Sequence, residues 1–202
     1  MAKIAFYLFA GFFVLVGAHW LFVGMPRYLL FGFGSRTSSA SALAEVDLRD
    51  ASSIKASVSQ GYGSRSLFAA LTYVGGRHNG TDFSAKYGAP VYSPISGKVL
   101  AIGNQDKYCY KKNYGKFMVI ENEDDGYAIL LAHLSKINFD VGEKVIAGDI
   151  VAEVGATGLA TAPHLHLTVF KKDTFEMVQK SGCGLNPAGK DADPIKYLES
   201  LF

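Results

Sequence analysis

Five side chains in this 202-residue chain have the chemistry to bind and use a metal ion: His78, Asp82, His133, His164 and His166. Histidine is the commonest metal ligand and also exchanges protons near neutral pH. Zinc accepts imidazole nitrogen and carboxylate oxygen, and a catalytic zinc site keeps a position open for water beside its three protein ligands. His78, Asp82 and one histidine of the His164/His166 pair would form such a ligand set.

His164 and His166 lie in the stretch PHLHLTVF, whose composition is typical of a strand. Residues two apart on a strand point to the same face, so the two imidazoles would lie side by side while Leu165 and Leu167 point into the core. Two purely structural histidines would give the same pattern, and the H-x-x-x-D spacing upstream also arises by chance. The combination of the two motifs, rather than either alone, therefore favours a metal site.

His133 and the glycines around His78 each admit two interpretations. His133, in AILLAHLSK, fits a buried strand histidine as well as a catalytic one. Gly75, Gly76 and Gly80 lie in the stretch GGRHNGTDFSAKYGAP, and glycine permits backbone conformations closed to bulkier residues. These glycines would either let a substrate strand approach closely or simply form turns.

The elements that would hold these side chains are short strands. From Ile54 onward, apolar runs alternate with glycine, asparagine and aspartate, as in GKFMVIENEDDGYAILLAHLS. This pattern predicts a mainly β, antiparallel architecture with a hairpin turn at Glu123–Gly126. We expect helix only in the N-terminal apolar segment, in residues 66–73 and in a tail around residues 194–202.

Residues 1–33 are predicted to be a membrane anchor or signal segment. Residues 4–23 carry no formal charge and match the roughly 20 apolar residues that a helix needs to cross a bilayer. We favour an uncleaved transmembrane helix, although SALA at residues 41–44 fits a signal cleavage site. Residues 34–53 are predicted to be a linker and residues 54–202 one folded domain. That domain would face the periplasm or cell wall on its anchor, or be secreted if the segment is cleaved.

The charge distribution argues against a nucleic-acid partner. The net charge is +2 and the basic residues are dispersed, without the dominant basic patch of nucleic-acid-binding proteins. One group of lysines and tyrosines would be either a solvated loop or a rim that attracts an anionic polymer such as a cell-wall glycan. It comprises Lys107, Tyr108, Tyr110, Lys111, Lys112, Tyr114 and Lys116.

Cys109 and Cys183 are the only cysteines, which is too few for a cysteine-based zinc site. In an oxidising compartment the two could form one disulfide. They could equally remain apart, because the spacing along the chain does not show whether they approach each other.

RHNGTDF, AHLS and GATGLATAPHLHL follow one another in this chain, and this combination resembles the lysostaphin and LytM type of zinc metallopeptidases, which cleave peptide cross-links in bacterial peptidoglycan. The resemblance extends over about residues 57–170, through SVSQGYGSR, GAPVYSPISGKV and VGEKVIAGDIVAEVGATG. The fold that it implies is a compact antiparallel β-sheet domain of the duplicated hybrid motif type, with a groove across the sheet.

The resemblance also implies a role for each residue of the candidate site. His78 and Asp82 match the two zinc ligands of the first motif, and His166 matches the third ligand. His133 and His164 match the two histidines that flank the metal-bound water and assist catalysis. Because these motifs contain no glutamate in the manner of H-E-x-x-H proteases, we expect the two histidines to share proton transfer and stabilisation of the oxyanion.

The sequence thus predicts a zinc-dependent endopeptidase that hydrolyses peptide cross-links of bacterial peptidoglycan, with zinc-bound water as the nucleophile. Its partners would be the peptidoglycan peptide and, through residues 1–33, the membrane. The cleaved linkage would be either a D-alanyl bond to a diamino acid or a glycine bridge. Two alternatives remain: a non-hydrolytic module that binds the cell wall or activates another hydrolase, and a subunit of an envelope or virion assembly with protein partners.

Overall fold

Strands dominate the computed structural model, which describes residues 46–65, 76–110 and 113–202. The strands are β1 (Val46–Asp47), β2 (Val58–Gln60), β3 (Thr81–Ser84), β4 (Pro90–Tyr92), β5 (Gly97–Asn104), β6 (Lys116–Glu121), β7 (Tyr127–Ala132), β8 (Leu134–Ile137), β9 (Lys144–Val145), β10 (Ile150–Val154), β11 (His164–Lys171), β12 (Glu176–Lys180), β13 (Gly184–Ala188) and β14 (Asp191–Ala192). The helices are α1 (Ala51–Ser57) and α2 (Pro194–Glu199), and 3₁₀ turns occur at Gln105–Lys107 and Lys172–Thr174.

The strands form two sheets and a separate hairpin. The larger sheet has the order β2-β3-β11-β7-β6-β5-β9, and β14 also pairs with β11. The smaller sheet has the order β1-β4-β10-β8, and β12 pairs with β13 in the hairpin. The paired strands are antiparallel except β1 and β4. The predicted antiparallel β architecture is confirmed, as is the turn at Glu123–Gly126, which joins β6 to β7.

Apolar side chains cover both faces of the central strands. On one face, Leu131 of β7 and Leu167 of β11 share the main core with Val91 of the smaller sheet. On the other face, Leu130 belongs to a second cluster, against which Met177 of the hairpin packs. Burial on both faces explains why β7 reads as the continuous apolar run YAILLA.

The folded region begins before the predicted boundary at Ile54. Val46 and Leu48 are buried in the main core together with Ile54, and Val46 pairs with Val91 of β4. Within the predicted linker, residues 34–53, Val46 and Leu48 thus pack against the folded domain. The few large apolar side chains of this serine-rich stretch are enough to hold it against the smaller sheet.

The sequence did not decide whether Cys109 and Cys183 form a disulfide, and the structure contains this bond. Cys109 and Cys183 are bonded, with their Cα atoms 4.8 Å apart. Cys183 lies in the turn between β12 and β13, and Cys109 lies just after the 3₁₀ turn at Gln105–Lys107. The bond therefore ties the tip of the hairpin to the loop that follows β5.

Other helix predictions differ in their outcome. The predicted N-terminal transmembrane helix and the predicted helix at residues 66–73 lie outside the described residues. Neither of the two helices within the described ranges has the length and apolar character needed to cross a membrane. The predicted C-terminal helix is confirmed as α2, which the Asp193 carboxylate caps by accepting a hydrogen bond from the Ile195 N–H at 3.0 Å.

Candidate metal centre

Two neighbouring strands bring the two predicted motifs together. In the antiparallel pair of β3 and β11, His166 lies directly opposite Asp82, and His164 lies opposite Ser84. His78 precedes β3 by three residues. Ala132, the last residue of β7, pairs with His166. His133 follows Ala132 directly. All five predicted site residues therefore meet near the start of β11 and the end of β7 in the larger sheet.

His78, Asp82 and His166 present ligand atoms to a common point. The His166 Nδ1 atom lies 2.8 Å from Asp82 Oδ1 and 3.1 Å from His78 Nε2. His78 Nε2 lies 3.3 Å from Asp82 Oδ1. A tetrahedral zinc site with bonds of about 2.1 Å separates its ligand atoms by about 3.4 Å. The three observed separations are slightly shorter, so the set fits a zinc ion after a small outward displacement.

In each ligand imidazole, one ring nitrogen faces away from the site and contacts an oxygen atom. His78 Nδ1 lies 3.2 Å from the Gly61 carbonyl oxygen, and since a carbonyl only accepts, the His78 proton is on Nδ1 and Nε2 turns its lone pair inward. His166 Nε2 lies 2.8 Å from the Thr168 hydroxyl, which leaves Nδ1 to face Asp82. Such outer contacts orient metal-binding imidazoles and fix their tautomers.

His133 and His164 lie beside this ligand set, with their ring centroids 4.6 Å apart. His133 Nδ1 donates to the Thr157 carbonyl oxygen at 2.8 Å. His164 Nδ1 donates to the Ala162 carbonyl oxygen, also at 2.8 Å. Both imidazoles therefore carry a proton on Nδ1, which leaves Nε2 to face the site. The Nε2 atom of His164 lies 3.7 Å from Asp82 Oδ1.

The backbone at His133 is strained. Its φ angle is 62°, a left-handed conformation that costs a non-glycine residue on the order of 1–3 kcal/mol. The strain is compensated by a hydrogen bond from the His133 N–H to the Tyr114 carbonyl oxygen at 3.0 Å and by the ring contact with Thr157. Backbone strain of this kind is concentrated at functional sites.

Burial and hydrogen bonding set the charges of the site. Burial opposes ionisation of Asp82, but the contacts of its carboxylate with the His166 and His78 imidazoles outweigh burial and hold the pKa of this carboxyl well below its usual range. Burial lowers the pKa of His166, and the neighbouring Asp82 only partly opposes this. Burial, with repulsion from His166 and His164, lowers the pKa of His133 to about 3. Neutral imidazoles and one carboxylate are the protonation states that a divalent metal requires.

This arrangement agrees with the comparison to known families. The sequence model of peptidase family M23 matches residues 76–177, half of the chain. The chain belongs to peptidase family M23. The match begins two residues before His78 and includes all five site residues, and it confirms the resemblance to lysostaphin-type peptidases.

Named relatives of this M23 domain include endopeptidases. The chain is 43% identical over 96 residues to the peptidoglycan DD-endopeptidase ShyB of Vibrio cholerae, covering 48% of the chain and 21% of ShyB. It is 40% identical over 129 residues to the glycyl-glycine endopeptidase ALE-1 of Staphylococcus capitis, covering 62% of the chain and 30% of ALE-1. The chain thus spans less than a third of the length of either relative.

A solved structure supports the same fold. The catalytic domain of lysostaphin from Staphylococcus simulans matches with a TM-score of 0.55 and 29% identity, over 74% of the chain and 98% of that domain. The lysostaphin-like fold predicted from the motifs is therefore confirmed for this M23 domain.

Gly80 meets a steric requirement that the sequence did not indicate. A Cβ atom at this position would lie 2.4 Å from the Leu167 carbonyl oxygen and 2.6 Å from the His166 ring. The M23 domain therefore needs glycine here so that the His166 imidazole can pack against the backbone of the first motif. Neither turn formation nor the approach of a substrate strand is required to explain it.

Tyr114 and Thr168 are site residues that the sequence did not indicate as such. The Tyr114 ring lies 5.7 Å from the His166 ring, centroid to centroid, and its hydroxyl accepts a hydrogen bond from Asn79 Nδ2 at 2.7 Å. Burial raises the pKa of Tyr114 to about 12, so its hydroxyl keeps its proton. The predicted group of lysines and tyrosines is divided in the M23 domain, because Tyr108 and Tyr110 are exposed while Tyr114 contacts the site.

Proposed function

We propose that this protein is a zinc-dependent endopeptidase that hydrolyses peptide cross-links of bacterial peptidoglycan. The observation that carries the proposal is the convergence of His78, Asp82 and His166, whose ligand atoms all lie within 4.8 Å of one another, beside two further imidazoles. Membership of peptidase family M23 supports it, and so do the similarities to the DD-endopeptidase ShyB and the glycyl-glycine endopeptidase ALE-1.

His78, Asp82 and His166 would hold the metal. When bound, zinc lowers the pKa of a water molecule that it coordinates and polarises the carbonyl of the substrate. Asp82 reduces the positive charge of the site, and the contacts of Gly61 and Thr168 keep the two ligand imidazoles aligned.

His133 and His164 would move protons during hydrolysis. Because each donates from Nδ1 to a carbonyl oxygen, each leaves Nε2 to face the reacting groups. The two histidines would share the transfer of a proton from the attacking water to the leaving amine and the stabilisation of negative charge on the substrate oxygen. In this proposal the carbonyl oxygens of Thr157 and Ala162 act as positioning groups, since they fix the tautomer and the ring orientation.

We also propose that the domain works outside the cytoplasm. Peptidoglycan lies there, and disulfides such as Cys109–Cys183 form and persist in oxidising compartments. An anchor in residues 1–33 would keep the enzyme near its substrate.

The test measures zinc content by mass spectrometry and peptide release from purified peptidoglycan. Asp82→Asn and His166→Ala should abolish both, whereas Asp173→Asn, the same chemical change at an exposed position, should retain both. Peptide release by zinc-free protein, or by both site variants, would overturn the proposal. Zinc binding without any peptide release would instead favour a cell-wall-binding module.

A further inference from the structure

One cavity joins the metal centre to the β12–β13 hairpin. It has a volume of about 380 Å³ and is lined by His133 and His166 together with Lys180, Asn186 and Gly189. The match to the family ends at residue 177, and most of the hairpin side of the cavity follows that residue. The cavity therefore extends from the metal centre along the hairpin.

The hairpin wall is held in place before any substrate binds. The Cys109–Cys183 disulfide secures its tip. Gln105, only 1% exposed, donates from Nε2 to the Leu185 carbonyl oxygen at 3.1 Å and to Asn186 Oδ1 at 3.0 Å. Its Oε1 accepts the Tyr114 N–H at 3.0 Å. Through Gln105, the hairpin is thus connected to the residue that packs against His166.

The charged side chains that line the cavity are two cations and one carboxylate. Arg77 and Asp191 neutralise each other, with Nη2 and Oδ1 2.5 Å apart. Lys180 donates from Nζ to Asn113 Oδ1 at 2.5 Å. Among residues 46–65, 76–110 and 113–202, no carboxylate lies within 4.0 Å of this ammonium. Lys180 therefore adds a positive charge to the cavity that no acidic side chain of the described chain matches.

We propose that this cavity binds a free carboxylate of the substrate peptide and that Lys180 determines this preference; the proposal rests on the proposed endopeptidase function. An ammonium has three donors, and Asn113 uses one of them while holding Nζ at the cavity. A carboxylate that enters the cavity can accept the others and gains a charge-assisted hydrogen bond. A carboxamide of the same shape can accept a hydrogen bond but carries no negative charge.

The test uses two cross-linked peptide dimers, one joined directly and one through a glycine bridge. Each is prepared with free carboxylates and with carboxamides in their place. KM is measured with the zinc-loaded protein, and Kd is measured by calorimetry in the presence of a chelator, where no hydrolysis occurs. We expect the carboxylate form to bind about fivefold more tightly than the carboxamide form.

Lys180→Met should bind the carboxylate and carboxamide forms about equally. Lys144→Met is the control, because it removes the same charge from an exposed strand residue outside the cavity. It should leave the preference for the carboxylate form unchanged. Equal binding of the two forms by the unmodified protein, or a preference that survives Lys180→Met, would overturn the inference. If the carboxylate preference in Kd is present but no dimer is hydrolysed, the proposed hydrolytic function fails and the carboxylate subsite stands.

Discussion

The imidazole of His166 contacts the hydroxyl of Thr168, two residues further along β11, with Nε2 and Oγ1 2.8 Å apart. Both side chains are buried, with 2% and 0% of their surfaces exposed. The strand that supplies the proposed metal ligand His166 therefore also supplies the group that orients it. This contact is local in sequence, since residues two apart on a strand share a face.

Thr168→Val should weaken zinc binding by about 10- to 100-fold, because the isosteric side chain removes the partner of His166 Nε2 without opening a cavity. Competition with a chromogenic chelator measures the zinc Kd. Thr168→Ser keeps a hydroxyl and should stay close to the unmodified protein. If the valine and serine variants bind zinc equally well, the hydroxyl does not support the ligand.

His133→Gly should be more stable than His133→Ala by about 1 kcal/mol, because glycine adopts the left-handed conformation at this position without strain. Both variants should lose at least about 100-fold in peptide release, since both lack the imidazole. Urea unfolding measures the difference in the free energy of unfolding.

Ser135→Gly and Ser135→Ala provide the control, because Ser135 lies in strand β8 and has no positive φ. There the alanine variant should be the more stable one. An alanine variant at His133 that equals or exceeds the glycine variant in stability would show that the backbone is not strained.

Gly80→Ala should displace the His166 ring, because the new methyl group would overlap the ring and the Leu167 carbonyl oxygen. We expect a loss of about 1–3 kcal/mol in the free energy of unfolding and at least a tenfold weaker zinc affinity. Gly97→Ala is the control, since its Cβ would overlap the Glu121 carbonyl oxygen, outside the site; it should lose stability but keep its zinc affinity. Normal zinc binding by Gly80→Ala would refute the steric requirement.

Zinc should stabilise the folded protein, and the variants should separate ligands from catalytic residues. At a free zinc concentration about 100-fold above Kd, the expected gain is about 2.7 kcal/mol. His164→Ala should retain this increase in Tm while losing peptide release, whereas His166→Ala should lose both. A His164 variant without zinc-dependent stabilisation would assign His164 to the ligand set instead.

Reduction of the Cys109–Cys183 bond should destabilise the protein by about 2–4 kcal/mol, because the bond closes a long loop, with 74 residues of sequence separation. Urea unfolding with and without a reductant measures the change. The double variant Cys109→Ser, Cys183→Ser should unfold at the same urea concentration in both conditions. An unchanged midpoint for the unmodified protein would contradict this prediction.

Much of the candidate site could be predicted because its signals are local. The alternation in PHLHLTVF correctly placed His164 and His166 on one strand, and the short apolar runs correctly indicated an antiparallel β fold. The assembly of His78 and Asp82 with His166 was also anticipated, from the resemblance of several motifs in order rather than from any one spacing.

The remaining features depend on contacts between distant parts of the chain. The need for glycine at position 80 arises only because the His166 ring packs against it. The bond between Cys109 and Cys183 depends on where the hairpin lies. Val46 and Leu48 looked like parts of a linker because two buried apolar side chains are too few to produce a periodic pattern. Thr168 did carry a local signal, since it shares a strand face with His166.

The direct pairing of His166 with Asp82 makes the metal centre sensitive to strand alignment. Shifting β11 by one residue against β3 would turn every side chain of β11 to the opposite face. Leu165 or Leu167 would then occupy the place of His166, and the ligand set would be lost although every ligand residue was still in the chain. Under the proposed function, the zinc content of refolded protein would measure the fraction of molecules in which these two strands have paired correctly.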